Sequence, residues 1–261
     1  MKRTLLLPIV AFVIGLPVAA LATPSTEFWT AGTTDIQPFG IGHIDVDNYF
    51  TVFRKADAGA GAFPTDVGYV VGVLPFSKVQ MEIGVDLLEP LDYPFFFNGK
   101  IGIPEDAFFK GQPALAGGIF DLGTQEGTTD VDITYINIGK TIPIIGRLFV
   151  GGYIGNKPSI LGLVASGGNS IASGVTNKGM TVAWDRSFLP AKSAGGTDYY
   201  RLVVCADVAT GKNFYGGDGG GIAWYFNENL SLLAGPVFFN DVPFNGQWKF
   251  STQLDVNFKT W

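Results

Sequence analysis

Residues that commonly build catalytic and metal sites are scarce in this chain. Its 261 residues include one cysteine, Cys205, and one histidine, His43. A single cysteine cannot form a disulfide within the chain, and no CxxC motif indicates a redox or zinc site. We therefore predict that Cys205 packs as a small apolar side chain, and that the protein uses no metal and no cofactor.

The chain also lacks an excess of positive charge. It contains 17 lysine and arginine residues against 23 aspartate and glutamate residues, a formal net charge of −6. No basic block stands out along the sequence. The composition therefore argues against a nucleic-acid partner.

Long apolar runs are missing after residue 22, and no segment of useful length has the period of an amphipathic helix. The mean hydropathy is nevertheless +0.27, which is high for an exported soluble protein. A closed β-barrel offers another way to cross a bilayer, because neighbouring strands satisfy all of its backbone polar groups. The 36 glycines and 14% aromatic residues favour the same interpretation.

The first 22 residues have the three parts of a secretory signal peptide. They open with two basic residues, continue as an uncharged apolar run from Leu5, and end on Ala20-Leu21-Ala22. A retained membrane anchor is the alternative, but proline and glycine interrupt the run and no basic stop-transfer cluster follows. We predict a signal peptide over residues 1–22 and a single barrel domain over residues 23–261.

Segments with alternating apolar and polar residues recur along the rest of the chain. In the final segment, Trp248 and Leu254 fall on one face of a strand, whereas Lys249 and Asp255 fall on the other. We predict twelve strands, at residues 38–54, 66–74, 78–87, 94–103, 113–122, 130–140, 147–155, 178–186, 200–208, 219–226, 230–239 and 247–258.

These segments predict an all-β fold, a single transmembrane antiparallel up-and-down β-barrel of about twelve strands. Alternation alone would also fit a soluble sandwich with one buried face. Mid-strand charges confined to one face favour the membrane barrel. So does the tendency of short turns to alternate with longer loops.

The end of the chain resembles that of bacterial outer-membrane β-barrels, with apolar residues at Leu254, Val256 and Phe258 and an aromatic residue at Trp261. Trp261 departs from the family pattern because it is one residue out of phase with Phe258. The resemblance covers the whole chain after residue 22. It implies a location in the outer membrane of a Gram-negative-type bacterium, contact with its lipid, and recognition of the last strand by the barrel-assembly machinery.

The face opposite the lipid is predicted to line a lumen, where charged residues would set selectivity. The residues assigned to it are Asp45, Asp47, Lys78, Glu82, Asp86, Lys100, Asp132, Asp185, Arg201, Asp207, Lys249 and Asp255. Acidic residues are in the majority, so a pore of this kind would favour cations or polar neutral solutes. The favoured function is a passive channel for small polar solutes or ions.

Two other functions stay open at this point, as does the oligomeric state. A non-conducting barrel would act as a structural, adhesion or partner-docking surface. A barrel hydrolase would use His43 with a distant nucleophile such as Ser77 or Ser251. Since no local motif supports catalysis, we predict that the protein is not an enzyme.

Two short motifs have simpler explanations than ligand binding. The GGDGGG run at residues 216–221 lacks the lysine and hydroxyl residue of a phosphate-binding loop, and its glycines are expected to admit either a bulky neighbour or a sharp bend. The D-x-D pairs Asp45/Asp47 and Asp130/Asp132 lack the further ligand spacing of a calcium site.

The signal-peptide assignment is tested by the mass of the exported protein. We expect the first 22 residues to be absent after secretion, because export removes such segments. Intact-mass spectrometry of the membrane-extracted protein measures this directly. A mass that includes Met1 or the apolar run would show that the segment is retained.

Overall fold

The structure is a computed structural model that describes residues 28–30, 32–52, 62–157, 163–164, 168–171 and 174–261. The predicted signal peptide lies outside the described residues. The strands are β1 (Ile41–Phe50), β2 (Thr65–Gly72), β3 (Gln80–Glu89), β4 (Phe95–Ile103), β5 (Ala114–Gly123), β6 (Asp130–Ile142), β7 (Gly146–Ile154), β8 (Leu163–Val164), β9 (Gly168–Ile171), β10 (Lys178–Lys192), β11 (Asp198–Ala209), β12 (Gly217–Asn227), β13 (Leu230–Phe239) and β14 (Trp248–Lys259). A one-turn helix, α1, spans Val242–Asn245.

Twelve of these strands form one closed antiparallel barrel. Each barrel strand pairs with the next barrel strand along the chain. The short strands β8 and β9 pair only with each other, so the barrel partner that follows β7 is β10. The seam joins β1 to β14, from Ile41 opposite Lys259 to Phe50 opposite Phe250. The predicted fold class, and the existence of all twelve predicted strands, are confirmed.

One predicted turn is shorter than expected. The sequence suggested that residues 187–199 connect two strands, but β10 continues to Lys192 and pairs with β11 as far as Asp198. Pairing of β10 with β7 stops at Asp185. Pro190 therefore lies where one edge of β10 is unpaired, which is a position that tolerates proline in a sheet.

The two ends of the barrel differ. Residues 143–145, 193–197 and 228–229 form tight connections at one end, which also carries the longer connections 73–79 and 104–113 and which we call the short-turn end. Residues 51–64, 155–177, 210–216 and 240–247 connect strands at the other, which we call the long-loop end. No helix in the described ranges is long and apolar enough to cross a bilayer.

Side chains alternate between the two faces of the barrel wall, as the strand period requires. The outward positions carry large apolar side chains that are exposed along the middle of the strands. They include Ile44, Val67, Ile83, Ile101, Ile136, Ile138, Val150, Met180, Val182, Ile222, Trp224 and Leu254. An exposed apolar surface of this extent fits contact with lipid rather than water.

A pair of matched substitutions in one hairpin tests which surface meets the lipid. Ile138 is 50% exposed within β6, and Ile144 is 79% exposed in the turn that follows. We expect Ile138→Arg to cost ~2–4 kcal/mol, because an outward arginine near mid-membrane is costly, and Ile144→Arg to cost ~0–1 kcal/mol. The folded fraction in lipid vesicles measures both. Equal losses would contradict the lipid-facing assignment.

Candidate functional site

The barrel interior is crossed by a chain segment that precedes β1. We call residues 28–30 and 32–38 the strap. Most of its side chains are buried, with Phe28, Thr30 and Thr33 fully enclosed and Gln37 nearly so. The strap runs from the long-loop end to the short-turn end, where Phe39 meets the ring of Trp261.

The first attachment of the strap is to Asp207, on the inner face of β11. One carboxylate oxygen, Oδ2, accepts hydrogen bonds from the backbone N–H groups of residues 28–30 at 3.0, 2.9 and 2.7 Å. The hydroxyl of Thr30 donates to the same oxygen at 3.1 Å. Hydrogen bonds to a charged acceptor are among the stronger ones in proteins, so Asp207 fixes this end of the strap.

The middle of the strap is held at Thr33 by two inward side chains. Lys100 Nζ donates to the Thr33 hydroxyl at 3.3 Å, and Asn137 Nδ2 donates to the Thr33 carbonyl at 3.4 Å. Lys100 comes from β4 and Asn137 from β6, so the strap bridges separated parts of the wall.

Ion pairs and a backbone hydrogen bond hold the strap near the short-turn end. Arg147 of β7 donates through Nη1 to both oxygens of Asp35 in the strap, at 2.7 and 2.8 Å. Its Nε donates to both oxygens of Asp185 at 2.9 Å. Glu82 of β3 accepts from the Gln37 backbone N–H at 2.7 Å.

The glycine-rich start of β12 makes room for the strap. A Cβ atom added at Gly219 or Gly221 would collide with the ring of Phe28. Phe28 packs there with Cys205 in one buried apolar cluster. The expectations that these glycines admit a bulky neighbour and that Cys205 packs as an apolar side chain are therefore confirmed.

Space remains in the lumen beside the strap, bordered mainly by residues of β1 to β5. This space is a cavity of about 390 Å³ that lies toward the long-loop end. Seven carboxyl side chains line it, and among the described lining residues Lys100 is the one lysine or arginine. The seven are Asp45, Asp47, Asp66, Glu82, Asp86, Asp121 and Asp255. We call this cavity the acidic chamber.

An aromatic wall faces these carboxyl groups. Trp29 of the strap lies 5.4 Å from Tyr49 and 6.4 Å from Tyr215, between ring centroids. Phe120 continues the wall at 5.2 Å from Tyr215, and Phe63 lies 6.2 Å from Trp29. The chamber therefore combines negative charge with apolar, polarisable surface.

His43 lies at the inner part of the chamber and is 1% exposed. Its Nδ1 is 3.0 Å from the amide oxygen of Asn257, and its Nε2 is 3.5 Å from Asp255. Ser251 lies six residues from Asn257 along β14, about 20 Å away for an extended strand. Within the described part of the chain, no serine hydroxyl is hydrogen-bonded to His43, so the catalytic hypothesis gains no support.

Ten of the twelve predicted lumen residues follow the inward register of their strands, and two do not. Lys78 lies in the bend before β3, exposed, with its Nζ over the ring of Phe108. Asp132 lies on the outward register, because β6 turns its odd-numbered residues inward, Ile133 and Tyr135 among them. Both assignments to the lumen face need this correction.

The inward residues do not all line open space. Asp45, Asp47, Glu82, Asp86, Lys100 and Asp255 border the acidic chamber. Asp185 and Asp207 are buried beside the strap and its partners, and Arg201 is exposed near one end of β11. Lys249 is fully buried, with its Nζ 4.2 Å from the centre of the Phe63 ring. The role of all these residues in selectivity stays a prediction.

Sequence reasoning missed Asp66, Asp121 and the strap. Asp66 and Asp121 stand at the ends of predicted strands, where alternation gives weak information about facing. The strap has no alternating pattern of its own, so nothing in the sequence indicated that it lies inside the barrel. Among the described residues, no group of three or more histidine, cysteine, aspartate or glutamate side chains has an arrangement suited to a metal ion.

Comparison with known proteins relates the chain to barrels of the porin type. No protein-family model and no curated protein matches it. A KdgM porin solved with disordered oligogalacturonate is 6% identical, with a TM-score of 0.47, over 83% of this chain and 99% of that one. A porin variant from Rh. blastica is 13% identical, with a TM-score of 0.39, over 80% of this chain. The match spans 64% of that porin's length.

The chain is a closed antiparallel barrel of twelve strands. Its assignment to that class rests on its own strand order and register. At these identities and TM-scores the matches carry no argument about fold, site or solute.

The strap attachment generates a stability prediction. Asp207→Ala leaves three backbone N–H groups buried without their acceptor, so we expect a loss of about 3 kcal/mol in the free energy of unfolding. Asp198→Ala is the matched control, because Asp198 is 59% exposed and pairs with Lys192 at 3.5 Å; we expect less than ~1 kcal/mol there. Urea unfolding in micelles, followed by tryptophan fluorescence, compares them. Similar losses would show that the Asp207 contacts do not hold the strap.

Proposed function

We propose that this protein is a passive channel of the bacterial outer membrane that favours small cationic or polar solutes. The observation that carries the proposal is the acidic chamber, a cavity lined by seven carboxyl groups inside a closed barrel. The exposed apolar outer wall supports the membrane location. The alternating apolar face of β14 supports recognition by the barrel-assembly machinery.

The chamber would act on solutes through its electric field. Carboxyl groups that face a narrow space between low-dielectric walls attract cations more strongly than the same groups on an open surface. The chamber opens toward the long-loop end, and a cation arriving there would meet Asp66, Asp86 and Asp121 first. The inner residues Glu82 and Lys100 lie opposite each other on β3 and β4, where opposite charges reduce the net field.

The strap would set the width of the remaining path. Twelve strands enclose more space than inward side chains alone need to fill, and the strap occupies one side of it. Solutes would therefore pass along the β1 to β5 side. This arrangement predicts low conductance and a small size limit.

A second function is favoured by the same segment. Phe28, Thr30 and Thr33 of the strap are completely buried, and hydrogen bonds join the strap to β3, β4, β6, β7 and β11. A barrel filled in this way would also suit a non-conducting structural or partner-docking role, with the long-loop end as the docking surface. Single-channel recording separates the two functions.

The channel proposal predicts a selectivity change in one double variant. Asp66→Asn with Asp86→Asn removes two carboxyl groups from the acidic chamber. The hydrogen bonds that Glu82 and Asp207 accept from the strap stay in place. We expect the K⁺/Cl⁻ permeability ratio to fall about threefold at low salt, because each carboxylate attracts cations by Coulomb energy. Reversal potentials under a salt gradient measure the ratio.

The difference between parent and variant should shrink toward ~1 M salt, where the Debye length is about 3 Å. Asp198→Asn, at the short-turn end, is the control and should leave the ratio unchanged. If the barrel conducts but the double variant has the same K⁺/Cl⁻ permeability ratio as the parent protein, the constriction lies away from Asp66 and Asp86. A protein that never conducts would favour the docking role.

A further inference from the structure

The acidic chamber is lined by two kinds of surface, carboxyl groups and aromatic rings. The strand register brings four of its carboxyl groups close together, since Asp47 lies directly opposite Asp66 on β1 and β2, and Asp86 and Asp121 follow on β3 and β5. The aromatic wall formed by Trp29, Tyr49, Phe63, Tyr215 and Phe120 lines the same cavity. A ligand there would touch both kinds of surface.

Two carboxylate oxygens in the chamber have unused hydrogen-bonding capacity. Oδ1 of Asp47 and Oδ1 of Asp66 are out of contact with solvent and have no hydrogen-bond partner among the residues that the structure describes. Buried polar atoms are nearly always paired in native proteins. An N–H donor carrying positive charge would supply both the hydrogen bond and the missing countercharge.

His43 provides an independent sign of a ligand at the inner end. It is 1% exposed, lines the chamber, and its Nε2 has no hydrogen-bond partner among the described residues. Carboxylate oxygens of Asp255 and Asp45 lie 3.5 and 3.8 Å from that nitrogen, beyond good hydrogen-bond distance. A second polar group on a bound molecule, separate from its positive charge, would complete this contact.

The aromatic wall points to an organic rather than an inorganic cation. Aromatic faces attract ammonium and guanidinium groups and also pack against apolar carbon. The protein already uses such a contact nearby, since the buried ammonium group of Lys249 lies 4.2 Å from the centre of the Phe63 ring. A metal ion would gain little from this wall, and the described residues offer it no suitable group of three ligands.

The size of the chamber agrees with a small organic molecule. Its volume of about 390 Å³ falls within the range of ~300–1,000 Å³ typical of small-molecule pockets. Such pockets combine a mostly apolar lining with a few polar groups that fix orientation.

We propose that the acidic chamber is a binding site for a small organic amine with an apolar or aromatic body. The ammonium group lies among Asp47, Asp66 and Asp86, and the body packs against Trp29 and Phe120. This inference rests on the proposed channel function and names the solute class that the channel selects.

Binding of three probes of similar size tests the charge requirement. Isothermal titration of the purified full chain in non-ionic micelles would compare 2-phenylethylamine, 2-phenylethanol and phenylacetate, each against empty micelles. We expect saturable binding of the amine, at least tenfold weaker binding of the alcohol, and no binding of the acid. Equal binding of amine and alcohol, or no saturable amine binding, would overturn the proposal.

Variants locate the bound amine. Asp66→Asn with Asp86→Asn should weaken amine binding at least tenfold, whereas Asp198→Asn should leave it unchanged. Gel mobility before and after heating reports whether each variant is folded, and the probe series on the parent protein decides the proposal even if a variant is not. Amine binding that survives the double variant would contradict this site.

Conductance recorded on the same preparation keeps the two proposals apart. Conductance without amine binding would overturn the binding site and leave the channel standing. Amine binding without conductance would support the binding site and overturn the channel in favour of a receptor-like barrel.

Discussion

Buried charge inside the barrel must find a partner, and this requirement organises the interior. Asp207, Asp185 and Glu82 point inward from three strands and are almost completely buried. A carboxylate in such a place is stable only where donors or positive charges surround it. The strap supplies backbone N–H groups to Asp207 and Glu82, and Arg147 joins Asp185 to Asp35 of the strap. The interior charges therefore hold the strap, and the strap allows them to be buried.

The division of the lumen follows from this pairing. On one side the strap satisfies the inward polar groups and fills the space. On the β1 to β5 side no strap residue reaches Asp47 or Asp66 by a hydrogen bond among the described contacts, and the acidic chamber remains. Part of the surplus of acidic residues in the sequence is thus concentrated in the acidic chamber.

The sequence was informative wherever a strand had regular alternation. The seam strand β14 shows this, because Lys249 and Asp255 face inward and Trp248 and Leu254 face outward as predicted. Alternation failed at Asp132, which has a positive φ of 49° close to a register irregularity between β5 and β6. The strap was beyond prediction because its contacts join residues far apart in the chain, such as Thr30 and Asp207. The chamber depends on those long-range contacts, so its outline required the structure.

The position of the strap also links the filling of the barrel to its closure. The strap is continuous with β1, and β1 closes the barrel by pairing with β14, the last strand of the chain. Residues 28–30 and 32–38 lie inside the ring that this pairing closes. The hydrogen bonds that join the strap to Asp207, Lys100 and Glu82 all lie inside that ring. The segment that fills the barrel and the strand that closes it are therefore one continuous stretch of chain, so the filling and the closure of this barrel are joined covalently.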